Sequence, residues 1–170
     1  GLPFVDGSYA TVKTIEGNTI STRNLISYPY AFSTRTIKGI TFTANSNNSV
    51  VINGTKEEGA EADYIYCNLQ NSLSLVEGVT YSINLYGKSA GVWLEIAYLN
   101  NEGKEQYAAT TFTFQKGYTI TRISIVIGDS VTKINNLIVN PMVNVGETAL
   151  PYEPYFDGLK STTFKGIKST

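Results

Sequence analysis

Several segments of this chain alternate apolar residues with aromatic or polar ones, and the polar set is suited to binding sugars. In an extended strand, successive side chains point to opposite faces. Aromatic rings can cover the apolar C–H face of a sugar ring, while amide, carboxylate and guanidinium groups hydrogen-bond its hydroxyls. The candidate ligand-binding residues on the polar faces are Trp93, Glu95, Tyr64, Tyr66, Asn84, Tyr86 and Arg122, and Asn68 shares the face of the first two tyrosines. If their strands are neighbours, we expect Trp93 and one or more tyrosines to stack on a sugar that Asn84, Glu95 and Arg122 orient.

The same pattern has a structural interpretation. Tyrosines on the outer face of a sheet often pack against cross-strand neighbours or against another module. Sugar binding and packing therefore both stay open for this face.

No catalytic constellation is evident. The chain contains no histidine, which removes Ser-His and Cys-His nucleophile pairs and His-containing zinc sites. Glu57, Glu58, Glu61 and Asp63 form an acidic cluster in and beside the glycine-containing segment 54–62, which is typical of a solvated loop. Calcium at this cluster is a minor alternative, because no Asp-x-Asp-x-Asp-Gly loop occurs. We predict a protein that is not an enzyme, with no catalytic residues, no metal site and no cofactor.

The composition of the chain limits the classes of partner that we expect it to bind. The formal net charge is −1 and 16% of the residues are charged, so no basic stripe for nucleic acid is expected. No run of 18 apolar residues occurs, so we expect no membrane insertion. The single cysteine, Cys67, lies in an alternating segment and is predicted to be a small buried apolar side chain.

The fold class follows from period-two alternation between frequent turns. Residues 80–86, 92–98 and 121–127 each place apolar side chains on one face, as half-buried antiparallel strands do. Residues 40–43 and 49–53 flank an Asn-rich turn and predict a hairpin. Many short strands separated by turns indicate an all-β, antiparallel β-sandwich.

The first and last segments of the chain resemble each other. Residues 3–16 match residues 154–168 through Pro3/Pro154, Asp6/Asp157 and Gly7/Gly158. Because such a repeat indicates an array of modules, we predict an N-terminal junction at 1–22, one sandwich module at 23–156 and a C-terminal junction at 157–170, the truncated start of a following repeat.

Several stretches carry a family resemblance. Asn24-Leu25-Ile26-Ser27-Tyr28-Pro29-Tyr30, together with the closing Pro141-Met142 and Pro151-Tyr152-Glu153-Pro154-Tyr155, resembles carbohydrate-binding-like modules of phage or prophage tail and baseplate proteins from Gram-positive hosts. The resemblance covers about residues 24–156. It implies a jelly-roll sandwich with flanking β-strand junctions, located in the virion tail or otherwise extracellular. The resemblance supplies no ligand-binding motif that can be assigned to residues of this chain.

The leading hypothesis is a non-catalytic module that recognises host cell-surface or cell-wall glycans. Other tail or baseplate subunits, or adjacent modules of the same chain, are the expected protein partners. One alternative is a structural spacer or subunit-contact module of the tail. Another is an ancillary binding module of a secreted glycoside hydrolase.

Overall fold

The structure, a computed structural model, describes residues 12–15, 18–21 and 23–156. Most of both repeated segments, and all of the predicted C-terminal junction 157–170, lie outside the described residues. The strands are β1 (Val12–Ile15), β2 (Asn18–Ser21), β3 (Thr34–Ile37), β4 (Ile40–Ala44), β5 (Val50–Thr55), β6 (Ile65–Gln70), β7 (Thr80–Tyr86), β8 (Val92–Leu99), β9 (Glu105–Ala108), β10 (Thr111–Thr113), β11 (Thr119–Ile127) and β12 (Lys133–Val145). The antiparallel pair β1–β2 falls within the predicted N-terminal junction.

The remaining ten strands form two antiparallel sheets. One has six strands in the order β10-β7-β12-β5-β4-β3, and the other has four in the order β6-β11-β8-β9. The predicted hairpin is confirmed, with Ile40 of β4 paired to Gly54 of β5. No described residue is helical, and therefore none of the described chain offers a helix able to cross a membrane. The all-β, antiparallel sandwich is confirmed, while jelly-roll connectivity stays a prediction.

The core lies between the inner faces of the two sheets. Alternation predicted its members correctly, since Leu94 and Ile96 of β8 and Ile83 of β7 are buried with their strand neighbours. Each such side chain contributes about 1.5–3 kcal/mol by leaving water. Cys67 is fully buried, as predicted, and burial raises the pKa of its thiol to about 12.

A buried asparagine joins the two ends of the sandwich. The amide nitrogen of Asn24 donates to the carbonyls of Pro141 at 3.0 Å and Glu153 at 2.9 Å. Its oxygen accepts from the backbone N–H groups of Ile26 at 3.1 Å and Val143 at 3.4 Å. Every hydrogen-bonding group of this side chain therefore has a partner, which is what a side chain only 2% exposed requires.

The acidic loop is organised around a lysine. Lys56 is 4% exposed, and its ammonium donates to the backbone carbonyls of Asp63 at 2.6 Å, Gly128 at 2.9 Å and Glu61 at 3.5 Å. The loop turns its carbonyl groups inward onto this cation and leads directly into β6. Lys56 thus bonds the backbone of Asp63, the residue that precedes Tyr64.

Candidate functional site

Three neighbouring strands place five of the seven candidate residues on the outer face of the four-stranded sheet. Val126 of β11 is paired with Tyr66 of β6 on one side and with Trp93 of β8 on the other. Two residues before Val126 on β11, Ser124 is paired in the same way with Asn68 of β6 and Glu95 of β8. Side chains in one such row point to the same face of a sheet. Tyr64 lies two residues before Tyr66 and Arg122 two residues before Ser124. Both side chains therefore point to the same face as those rows.

Arg122 is at the centre of the group. Its Nη1 donates to Glu95 Oε2 at 3.2 Å and to Ser124 Oγ at 3.1 Å, and its Nη2 lies 4.0 Å from Glu105 Oε1. The guanidinium carbon lies 4.4 Å from the ring centroid of Tyr66 and 5.7 Å from that of Tyr107. Both distances are within the range of a cation–π contact.

A cluster of rings extends from Arg122 toward the acidic loop. The rings of Tyr64 and Tyr66 lie within 18° of parallel with centroids 6.4 Å apart, and Trp93 meets Tyr64 nearly edge-on at 6.2 Å. The indole N–H of Trp93 donates to Glu95 Oε1 at 3.4 Å. Contacts between rings and charged groups therefore hold the tyrosines in place without covering them.

We call the surface formed by Tyr64, Tyr66, Trp93, Glu95, Glu105, Tyr107 and Arg122 the aromatic face. Tyr64 is 46% exposed, Tyr66 42% and Tyr107 54%, and these account for three of the five large apolar side chains exposed in the described chain. Glu95, by contrast, is only 7% exposed. Exposed rings above a buried ion pair form a rigid, amphipathic surface of the kind used in recognition.

Two phenols of this surface, those of Tyr66 and Tyr107, have raised pKa values. Burial, and secondarily the negative charge of Glu95, raises the pKa of Tyr66. The pKa of Tyr107 is raised because its hydroxyl donates to Glu105 Oε1 at 2.7 Å, a bond that only the neutral phenol makes. At neutral pH both hydroxyl groups are therefore protonated: Tyr107 donates its proton to Glu105, and the oxygen of each phenol can accept a hydrogen bond.

Asn84 and Tyr86 do not join this surface. Both are on β7, which belongs to the six-stranded sheet. The hydroxyl of Tyr86 donates to the carbonyl of Leu150, and its ring lies 5.7 Å from that of Tyr152. The segment that covers it, residues 146–153, we call the strap.

The strap is attached through a second buried asparagine. Asn144 donates to the carbonyl of Thr148 at 3.0 Å and accepts from the N–H of Leu150 at 3.2 Å. Nearby, the N–H of Glu153 lies 3.4 Å from the sulfur of Met142. Tyr86 thus anchors the strap, so the packing interpretation applies to this tyrosine.

Glu105 and Tyr107, both on β9, were missed by the sequence analysis. The turn at 100–103 connects β8 directly to β9, and Ala97 is paired with Tyr107. The signal was present, since a short turn after a predicted strand indicates an antiparallel partner. Following that hairpin would have placed Tyr107 on the same face as Glu95.

A groove adjoins the aromatic face at Tyr107. It lies at the edges of the two sheets, where β9 and β10 end them, and encloses about 440 Å³. Its lining includes Tyr98, Tyr107, Thr111, Phe112, Gln115 and Tyr118. Rings alternate here with hydroxyl and amide groups, which continues the chemistry of the aromatic face.

Three acidic residues in and around this surface, Asp63, Glu95 and Glu105, lie in ion pairs. Asp63 of the acidic cluster accepts from the Lys38 ammonium at 2.6 Å, and this bond lowers the pKa of the carboxyl. Across the described chain, no three His, Cys, Asp or Glu side chains converge as metal ligands would. Glu95 and Glu105 both contact Arg122, so the guanidinium lies between these two carboxylates.

Comparisons with known protein families, with curated proteins and with solved structures found no match to this chain.

Proposed function

We propose that this protein is a non-catalytic carbohydrate-binding module that uses the aromatic face to recognise glycans of a bacterial surface or cell wall. The sequence resemblance to modules of phage tails and baseplates supports a role in host recognition by a virion tail. Weak binding at one module suffices there, because many copies on one particle raise the effective concentration.

One observation carries the proposal. Tyr64, Tyr66 and Tyr107 are each about half exposed on one face, and Arg122 holds two of them in place through ring contacts at 4.4 and 5.7 Å. Rings that are already fixed lose little conformational entropy when a ligand stacks on them. Glu105 and the phenol groups supply the directed hydrogen bonds that a sugar requires.

The same geometry argues against a glycosidase at this face. Such an enzyme needs two carboxylates with room between them for the scissile bond or a water. The guanidinium of Arg122 fills the space between Glu95 and Glu105.

A second candidate function rests on the same exposed rings. Large apolar side chains on one face also suit contact with another module or tail subunit. In that case, mutating the rings changes assembly and leaves glycan binding absent.

A glycan array and a pull-down on Gram-positive cell walls test the proposal. We expect Tyr66→Ala and Tyr107→Ala each to weaken binding about three- to tenfold, the range for loss of one aromatic contact. Trp93→Ala should weaken it as well, with some loss of stability because Trp93 is half-buried. Ile138→Ala is the matched control, since Ile138 is 56% exposed and lies on the other sheet.

Failure of the parent protein to bind any glycan or cell wall would refute sugar recognition. If the same ring variants then altered self-association or binding to tail subunits, the contact function would be supported instead.

A further inference from the structure

We propose that the aromatic face discriminates glycans by charge: it prefers saccharides with free amino groups, accepts uncharged ones and excludes acidic ones. This inference rests on the proposed sugar-binding function and names its ligand class.

The first support is that Arg122, the cation of the face, already has partners within the protein. Arg122 bonds Glu95 and Ser124, lies 4.0 Å from Glu105 and has Tyr66 and Tyr107 over it. An arginine that recognises an acidic sugar must present its N–H groups to the ligand carboxylate. Here Nη1 already donates to Glu95 and Ser124, and Nη2 lies 4.0 Å from Glu105, so a ligand carboxylate would have to approach the guanidinium against the negative charge of both glutamates.

The second support is the charge balance. The face carries one guanidinium and two carboxylates, Glu95 and Glu105, which gives a net charge of −1. Two lysines that lie beside residues of the face are paired with carboxylates of their own. Lys38 bonds Asp63 at 2.6 Å and Lys104 bonds Glu102 at 3.0 Å. Lys56 is buried beneath the acidic loop and holds three carbonyl groups there.

The third support is a place for an ammonium group. The side chain of Glu105 is 51% exposed, so its carboxylate can accept from a ligand amine. The neighbouring ring of Tyr107 is 54% exposed, and aromatic faces attract cations. A half-exposed carboxylate beside an exposed ring is therefore suited to a protonated amino sugar.

Three oligosaccharides of matched length test the inference: one of glucosamine, one of N-acetylglucosamine and one of galacturonic acid. At mildly acidic pH the first is cationic, the second neutral and the third anionic. By calorimetry at low salt, we expect the glucosamine oligomer to bind about two- to fivefold more tightly than its acetylated counterpart, the scale of one exposed ion pair. High salt should remove this difference, and the galacturonate oligomer should not bind.

Glu105→Gln should abolish the preference for glucosamine, because it should weaken binding of the glucosamine oligomer more than binding of the acetylated one. Glu102→Gln is the matched control. Its side chain is 69% exposed and paired with Lys104 in the adjoining turn, so this variant should retain the preference.

Two results would overturn the inference while leaving sugar binding intact. One is Tyr66-dependent binding of the galacturonate oligomer, or of acidic glycans on the array. The other is equal or tighter binding of the acetylated oligomer at low salt. If no oligosaccharide and no array glycan binds, the proposed function fails and this inference fails with it.

Discussion

The guanidinium carbon of Arg122 lies 4.4 Å from the ring centroid of Tyr66. The arginine comes from β11 and the tyrosine from its neighbour β6, so the contact bridges two strands on the outer face of the sheet. Arg122 is 20% exposed at its side chain while Tyr66 is 42% exposed. The arginine thus lies below the ring and supports it, and the ring is the part that faces solvent.

The ion pair beneath the rings should contribute measurably to stability. In a double-mutant cycle with Arg122→Ala and Glu95→Ala, we expect a coupling energy of about 1–3 kcal/mol, because both groups are largely buried and hydrogen-bonded. Urea unfolding followed by circular dichroism measures it. The exposed pair Lys104–Glu102 is the control, with an expected coupling below about 0.5 kcal/mol. Additive effects at Arg122 and Glu95 would show that water screens this pair as well.

Asn24 should be among the most sensitive polar positions. Asn24→Asp replaces the amide donor with an oxygen that faces the carbonyls of Pro141 and Glu153, so we expect a loss of about 2–4 kcal/mol in the free energy of unfolding. Asn135 is exposed, and Asn135→Asp should change stability by less than about 0.5 kcal/mol. A loss at Asn24 no larger than at Asn135 would contradict the role of this asparagine in joining the two ends.

Lys56 should be required for the acidic loop. Lys56→Met keeps the length of the side chain and removes the ammonium, which leaves the carbonyls of Asp63 and Gly128 without their donor. We expect a loss of about 2–4 kcal/mol in chemical denaturation. Lys88→Met, at an exposed turn, should be nearly neutral.

The Lys56 variant also bears on the aromatic face, because Lys56 bonds the carbonyl of Asp63, the residue before Tyr64. Ligand binding by Lys56→Met should weaken even at temperatures where the protein stays folded. Unchanged binding would show that the loop and Tyr64 are positioned independently of Lys56.

Tyr152 should make the protein sensitive to alkali. Burial raises the pKa of its phenol from 10.0 to about 12, so the native state retains a proton that the unfolded chain loses. The associated stability is present below pH 10 and is lost as pH rises from 10 toward 12, at up to about 1.4 kcal/mol per pH unit. Tyr152→Phe should lose less stability over that interval. Cys67, whose pKa is also raised to about 12, remains in both proteins and does not confound the comparison.

At neutral pH the same substitution should have little effect. The Tyr152 hydroxyl is buried and has no hydrogen-bond partner within the described part of the chain. Removing it therefore breaks no bond there. A large loss at pH 7, or an unchanged alkaline slope, would contradict this account.

The face that each strand turns to the core was predictable, and the grouping of strands into sheets was not. Alternation placed Leu94 on the inner face and Glu95 on the outer face of the sheet correctly because side-chain direction is local, although Glu95 is only 7% exposed. It gave the same signature for Tyr86, on β7, which lies in the other sheet under the strap. Sheet membership depends on long-range pairing, about which a period of two carries no information.

The supporting residues were harder to foresee than the exposed ones. Lys56 lies near Glu57 and Glu58, a sequence typical of a solvated segment, and nothing local shows that its ammonium is enclosed by carbonyls. The charge balance around Arg122 was equally hard to predict, because Glu105 lies on a different strand, β9. Tyr107 could have been included by extending the strand after the turn at 100–103.

The hydrogen bonds of Asn24 also determine how the sandwich responds to mechanical force. Tension applied at Asn24 and Glu153 passes through one amide–carbonyl contact of 2.9 Å, and a second bond ties Asn24 to Pro141 on β12. The shortest path between the two points therefore crosses this one hydrogen bond, while the bond to Pro141 holds Asn24 to the six-stranded sheet. A chain pulled at these two points would first release this contact and the strap, extending by a short length while the sheets and the aromatic face stay folded.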